Sequence, residues 1–150
     1  MEEEIKFRGK TENGLWICGD LLKSVGSAYI CETYTVLGDF IQAHAKEVDT
    51  NTVGRCTGIT DKNHIIDIYE GDIVKRESGM MGDEYDGFIG IVKFGEGSFV
   101  IESFDGKNGT YLWSDVQELE VLGNIYDNPR LINTNPSWSD HIKGRFERIT

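Results

Sequence analysis

Hydrophobic and polar residues alternate along most of the chain, which is the pattern of half-buried β-strands. The alternation begins over residues 5–8, and a turn at 12–14 separates it from a second segment over 15–22. This arrangement predicts an N-terminal β-hairpin. Residues 28–36 are rich in aromatic and β-branched side chains and predict a third strand. The segment 40–48 fits either a strand or a short helix, and we favour the strand.

Polar residues at 49–52 form the best internal boundary, and further short strands are expected after it. They lie at 53–57, 65–68, 73–75, 88–94, 98–104, 110–113 and 119–125. The chain between 77 and 87 loses its periodicity and contains three glycines and four acidic residues, so it is expected to be an exposed, mobile loop. Short strands joined by tight turns favour a small barrel or roll, because closing a sheet removes its edges.

The pattern changes beyond Pro129, where apolar residues recur at helical spacing. They are Trp138, Ile142, Phe146 and Ile149. This spacing predicts a short amphipathic C-terminal helix whose apolar stripe must be buried on the barrel or on another chain. These four residues are therefore the candidate partner contacts. The predicted organisation is a β-rich region over 1–51, a barrel over 52–132 and a tail over 133–150.

Four segments carry a resemblance to a known family. They are residues 7–9 with 14–16 and Gly19, residues 52–63 leading into 68–74, the strand pair around 92–94 and Phe99, and residues 121–129. The most specific string is T-G-I-T-D-K over 57–62 followed by I-Y-E-G-D-I-V over 68–74. With these motifs the chain resembles the YopX family of phage and prophage proteins over about residues 5–132.

This resemblance implies an SH3-like barrel in the second half, a phage or prophage origin and no family-wide enzymatic activity. The chain departs from the family pattern at Arg55, where glutamine is more usual, and at Asn63-His64, where Asn-Gly is commoner. The motif residues also have a physical interpretation. Gly58 and Gly71 suit positive φ in tight turns, and the carboxylates of Asp61 and Asp72 suit hydrogen bonds from nearby backbone amides. Asn124 is expected to pin the last strand in the same way. Such a motif indicates a fold more than a reaction.

The formal net charge of −11 argues against direct nucleic-acid binding, which depends on basic residues that displace counterions from phosphates. An acidic surface suits a basic protein partner, although solubility explains it equally well. The chain has no apolar run long enough to cross a bilayer and begins with Met-Glu-Glu-Glu. Three widely spaced cysteines fit a reducing compartment. These features predict a cytoplasmic protein without a membrane segment.

The candidates for chemistry are weak. His44, His64 and His141 form no closely spaced pair with one another or with a cysteine, so neither a metal nor any other cofactor is predicted. Acidic residues at 83–86 lack the spacing of a calcium loop. No nucleophile elbow, P-loop or dinucleotide fingerprint is present. Cys31 and Cys56 lie in apolar strands, where an inert packed thiol is expected.

Seven aromatic residues are numerous enough to form a base-stacking surface on a barrel. They are Trp16, Tyr29, Tyr34, Phe94, Phe99, Tyr111 and Trp113. Because most of them alternate with polar residues and so share one face of a sheet, core packing is the favoured interpretation of the set.

Together these features predict a non-enzymatic interaction module that forms a homo-oligomer and contacts a host or phage protein. Two alternatives stay open within the nucleic-acid class. One is a nucleic-acid-associated barrel, and the other is an acidic protein that mimics DNA and occupies a host DNA-binding protein. An enzyme whose active site assembles only in the fold ranks last.

Overall fold

A computed structural model describes the backbone of residues 5–37 and 40–134, and the side chains of these residues apart from 33–43 and 133–134. The described chain consists mainly of antiparallel β-strands, as the alternation predicted. In chain order the strands are β1 (Phe7–Lys10), β2 (Trp16–Ser24), β3 (Ser27–Leu37), β4 (Phe40–Val48), β5 (Gly54–Thr60), β6 (Asp67–Tyr69), β7 (Asp72–Ser78), β8 (Phe88–Gly95), β9 (Ser98–Glu102), β10 (Gly109–Tyr111) and β11 (Gln117–Asn124). A 3₁₀ turn covers Thr50–Thr52, and a single-turn helix, α1, covers Arg130–Thr134.

The chain divides into two compact units, Met1–Gly58 and Ile59–Thr150. In the first unit the strands are hydrogen-bonded in the order β4-β3-β2-β1-β5, and the predicted strand over 40–48 is confirmed as β4. The first unit buries a small apolar cluster made of Ile17, Ala28, Ile30 and Val48. Gly9 packs against this cluster so tightly that a Cβ there would lie 2.7 Å from a methyl group of Val48.

The second unit contains a five-stranded antiparallel sheet in the order β10-β9-β8-β7-β11. Its core consists of Ile68, Val74, Phe88, Val92, Ile101, Leu112 and Leu119. The alternating segments 88–94 and 98–104, with Gly95-Glu96-Gly97 between them, predict a hairpin, and the structure confirms it as β8 and β9. Gly95 pairs with Ser98, and both intervening residues, Glu96 and Gly97, have positive φ, as a type I′ turn requires.

The expected closure of this sheet into a barrel is wrong, because β10 and β11 form its two open edges. β10 spans only three residues, about 10 Å. The backbone N–H of Lys62 donates to the carbonyl of Leu119 at 2.8 Å, so part of the β11 edge is covered by a loop.

The short helix predicted for the C-terminal tail lies outside the described residues, together with Trp138, Ile142, Phe146 and Ile149. The helix that the structure describes, α1, begins at Arg130 and was not predicted. The proposed division at residues 51 and 132 stays a prediction.

Candidate functional site

The motif over 57–62 builds a turn around the buried carboxylate of Asp61. Its Oδ1 accepts hydrogen bonds from the amides of Ile65 and Ile66 at 3.1 and 3.2 Å, as the sequence predicted. Burial tends to raise the pKa of Asp61, but the amides of Ile66 and Ile65 outweigh it and hold the pKa below its ordinary value. Gly58 has φ of +77°, and His64 adopts φ of +58°.

The second half of the motif forms another such turn at the start of β7. Oδ2 of the buried Asp72 accepts a hydrogen bond from the amide of Tyr69 at 2.8 Å, and Gly71 has φ of +90°. At the end of β11, Oδ1 of Asn124 accepts from the amides of Tyr126 and Asp127, as predicted. These polar motif residues therefore organise the turns of the fold, and the functional site has to be sought elsewhere.

A different arrangement holds the loop between β7 and β8. Arg76, at the end of β7, is buried, and its Nη2 lies 2.7 Å from Oδ2 of Asp83 in the loop. Oδ1 of Asp83 accepts from the amide of Tyr85 at 2.9 Å, and Oδ1 of Asp86 accepts from the amide of Ser78 at 3.0 Å. These side-chain hydrogen bonds thus attach the loop to the sheet. No pattern in the sequence predicted that these residues would meet.

Gln117 links this loop to the chain segment that precedes β11. Its Oε1 accepts a hydrogen bond from Nε of Arg76, and its Nε2 donates to the carbonyl of Leu112. The amide of Gly79 also donates to the carbonyl of Val116 at 2.7 Å. Residues 79–87, and residues 111–118 with the connection between β10 and β11, therefore lie side by side, and we refer to the two segments together as the two-loop surface.

The charge of Asp83 matters for this arrangement because Arg76 is nearly inaccessible to water. The hydrogen bond from Arg76 lowers the pKa of Asp83 to about 2, against the opposing effect of burial. Nη1 of Arg76 is itself buried and has no hydrogen-bond partner among the described residues. The guanidinium thus depends on Asp83 and Gln117 to offset its loss of hydration.

Large apolar side chains are exposed on both parts of the two-loop surface. On the 79–87 loop, Met81 is fully exposed and Met80 is 58% exposed. On the 111–118 segment, Tyr111, Trp113 and Val116 are exposed, with Trp113 at 64%. Exposed tryptophan and methionine side chains are typical of protein-binding surfaces, and here they stand on loops held by hydrogen bonds.

The prediction of core packing is therefore wrong for Tyr111 and Trp113, which are exposed. Phe99 does pack against the core. Tyr111 pairs with Val100 at the open edge of the sheet, and Trp113 follows the buried Leu112, so alternation directs both away from the core. Phe94 is also half exposed, and it meets Phe99 edge to face at 5.0 Å. Trp16 packs under the guanidinium of Arg8, whose Cζ lies 4.7 Å from the ring centroid.

The expectation of an exposed 77–87 loop holds at its tip, residues 79–82, and at Glu84, whereas Asp83 and residues 85–87 are half-buried. Tyr85 packs on the core, with its ring 5.3 Å from that of Phe88 in an edge-to-face contact. Asp83 and Asp86 turn inward to the hydrogen bonds described above. Periodicity is lost here because side chains of the loop, not of a strand, complete the packing.

Several other kinds of site were sought in the described residues. No group of three His, Cys, Asp or Glu side chains among residues 5–37 and 40–134 is arranged to hold a metal ion. The three cysteines are free thiols, with Cys31 buried, Cys56 half-buried and Cys18 exposed. Within the same described ranges, no helix has the length and apolar character needed to cross a membrane. An open depression of about 780 Å³ lies on the β9–β10 hairpin and is lined mostly by polar and glycine residues.

Comparison with known proteins identifies the family. The family model described as YopX protein matches residues 6–133, which is most of the chain, and the protein therefore belongs to the YopX family. Among solved structures, the crystal structure of protein EF1440 from Enterococcus faecalis matches with a TM-score of 0.50 at 16% sequence identity. The match covers 87% of this chain and 99% of that one, and it shows a shared fold. No curated protein matches the chain.

Proposed function

We propose that this YopX-family protein is a non-enzymatic interaction module of phage or prophage origin, and that it acts in the cytoplasm by binding a host or phage protein. The observation that supports this most directly is the two-loop surface. It combines exposed Met80, Met81 and Trp113 with loops held in place by Arg76 and Gln117. A pre-formed surface of this kind loses little conformational entropy when it binds.

The distribution of polar groups also supports binding over catalysis. In each of the distinctive motif residues, Asp61, Asp72 and Asn124, one side-chain oxygen accepts from a backbone amide of its own turn. A general acid, a base or a nucleophile has to reach a substrate in a cleft. These side chains organise turns, and none of their hydrogen bonds described above lies in a cleft.

The test is affinity capture of the tagged full-length chain from a bacterial host-cell lysate, with and without nuclease, followed by mass spectrometry. We expect a stoichiometric protein partner whose recovery does not depend on nuclease. Recovery that disappears with nuclease would favour the nucleic-acid-associated alternative, and recovery of the bait alone would contradict binding to a host protein.

Self-association is a separate part of the proposal and rests on the apolar stripe of the tail. Light scattering during size-exclusion chromatography is expected to give a mass above 16.9 kDa, the mass of one chain. A chain that lacks residues 133–150 is expected to run as a monomer. A strict monomer at high concentration for the full chain would rule out the homo-oligomer and leave the binding proposal intact.

A further inference from the structure

The two-loop surface has a charge pattern that restricts what it can bind. Residues 79–87 and 111–118 contain five aspartate or glutamate residues and no lysine, arginine or histidine. Of the five, Asp83 is neutralised by Arg76 within the structure. Glu84, Asp115 and Glu118 are exposed on the same two segments as the apolar side chains.

From this pattern we propose that the two-loop surface binds a basic, amphipathic segment of a partner protein. This inference rests on the proposed interaction function and deepens it by naming the surface and the chemistry of the partner. Trp113, Met80 and Met81 pack against apolar side chains of the partner. The surrounding carboxylates attract its lysine and arginine residues.

The apolar part of the surface supplies the anchors. Interfaces derive most of their binding free energy from a few central side chains, among which tryptophan is over-represented. Methionine adapts its shape to different apolar surfaces because its side chain is unbranched and flexible. Trp113 and the Met80-Met81 pair, exposed on neighbouring segments, therefore suit a partner whose apolar residues project from one face.

The exposed carboxylates of Glu84, Asp115 and Glu118, which we call the acidic rim, select the sign of the partner's charge. Complementary charge speeds association and disfavours partners of like charge. A second copy of this chain carries a net charge of −11, so it is repelled by the rim. The phosphates of nucleic acid are repelled for the same reason, which leaves a basic segment as the occupant.

Hydrogen bonds between the two segments of the two-loop surface keep the exposed apolar side chains in place. The Arg76–Asp83 contact of 2.7 Å, together with the Gly79–Val116 hydrogen bond, ties the loop that carries the methionines to the segment that carries Trp113. Both segments are therefore positioned before a partner arrives.

The experiment uses the full chain and two synthetic peptides in which leucine repeats at helical spacing, one filled with lysine and the other with glutamate. Calorimetry is expected to show binding of the Leu-Lys peptide that weakens with salt, and no binding of the Leu-Glu peptide. Trp113→Ala and, separately, Met81→Ser are each expected to weaken binding about tenfold, the effect of losing an interface anchor. As matched controls, Val25→Ser and Leu15→Ser remove exposed apolar side chains elsewhere and are expected to leave binding unchanged.

The role of charge is tested with two sets of variants that change the net charge equally. Glu84→Gln with Asp115→Asn and Glu118→Gln is expected to lower the affinity several-fold and to flatten its salt dependence. The matched set of exposed residues, Glu12→Gln with Glu47→Gln and Glu96→Gln, is expected to change it less than about twofold. Equal losses in both sets, or tight binding of the Leu-Glu peptide, would overturn the proposal.

Capture from lysate separates the failure of this inference from the failure of the proposed function. If a nuclease-resistant partner is captured equally well by the Trp113→Ala and Met81→Ser proteins, the interaction function stands and this surface is wrong. If capture by both variants fails while the Val25→Ser control still captures the partner, the surface is supported.

Discussion

Two connections in the second unit are held in place in opposite ways. The turn after β5 is organised by Asp61, whose carboxylate accepts from amides four and five residues further along the chain. The loop after β7 is organised by Arg76 and Gln117, which lie 41 residues apart. In the first case the interaction is local and a sequence motif reveals it. In the second case strand pairing has to bring the partners together before any interaction exists.

The two connections also differ in whether the carboxylate binds neutral or charged groups. Asp61 is satisfied by neutral amides, whereas Asp83 offsets a buried cation. Removing an acceptor from a turn leaves unpaired amides, which costs about 1–3 kcal/mol. Removing an anion from a buried ion pair leaves a charge in a poorly hydrated site, which costs more. The comparison therefore predicts that substitutions in the buried ion pair destabilise the protein more than substitutions in the motif turns.

The largest effect is expected for Asp83→Asn, which leaves the buried guanidinium of Arg76 without its counter-charge. We expect this substitution to lower the free energy of unfolding by about 3–4 kcal/mol. Urea unfolding at neutral pH measures the change. Glu84→Gln, at the exposed neighbouring position, serves as the control, with an expected effect within about 0.5 kcal/mol. Equal effects at the two positions would show that Arg76 does not depend on Asp83.

The same ion pair predicts a dependence on acid. The pKa of Asp83 is lowered from 3.8 to about 2 in the folded protein, so its contribution is fully present above pH 4 and is lost as the pH falls towards 2. The stability difference between the wild-type protein and Asp83→Asn is expected to shrink by up to roughly 2 kcal/mol over this interval. Urea unfolding at a series of pH values measures this difference. A constant difference would contradict the pKa shift.

For the motif turns, the expected effect is smaller. Asp72→Ala removes the acceptor for the amide of Tyr69 and is expected to cost about 1–2 kcal/mol. Asp72→Asn retains an oxygen acceptor at nearly the same place and is expected to cost less. Thermal unfolding of both variants compares them. If the two substitutions cost the same, the charge of Asp72 and not the turn hydrogen bond would be responsible.

The smallest effect is expected at a turn position where a residue with a side chain has positive φ. His64 has φ of +58°, a region that strains residues with a side chain. His64→Gly is expected to stabilise the protein by about 0.5–1 kcal/mol, after the greater freedom of glycine in the unfolded chain is allowed for. Differential scanning calorimetry measures this change.

Gly58→Ala provides the opposite case within the same motif. Gly58 has φ of +77° and open space around it, so backbone strain alone is expected to destabilise the alanine variant by about 1 kcal/mol.

A destabilised His64→Gly protein would show that the contact between the His64 ring and the hydroxyl of Thr60 outweighs the strain.

Much of the fold could be predicted because the relevant physics is local. Alternation predicted the strands, and the Glu96-Gly97 turn between β8 and β9 was predicted from its glycines. The hydrogen bonds of Asp61, Asp72 and Asn124 were predicted because a short carboxylate or amide reaches amides only a few residues away. The family resemblance rests on these same turns and was confirmed by the family match.

The candidate site, by contrast, was not predicted. The sequence directed attention to the tail stripe at Trp138, and it interpreted Trp113 as a core residue. Nothing in the spacing of Arg76, Asp83 and Gln117 indicates that they meet. A signal in the sequence that could have pointed to the site is the Met80-Met81 pair close to the acidic residues Asp83, Glu84 and Asp86.

The sequence by itself determined the class of fold, the position of the turns and the family, because each depends on periodicity or on contacts a few residues apart. Only the tertiary structure decided that the sheet stays open, that Arg76 is buried against Asp83, and that Trp113 and Met81 stand exposed on neighbouring loops. These features depend on the length of β10 and on strand pairing between residues far apart in the chain. Such contacts form only when the whole sheet is assembled.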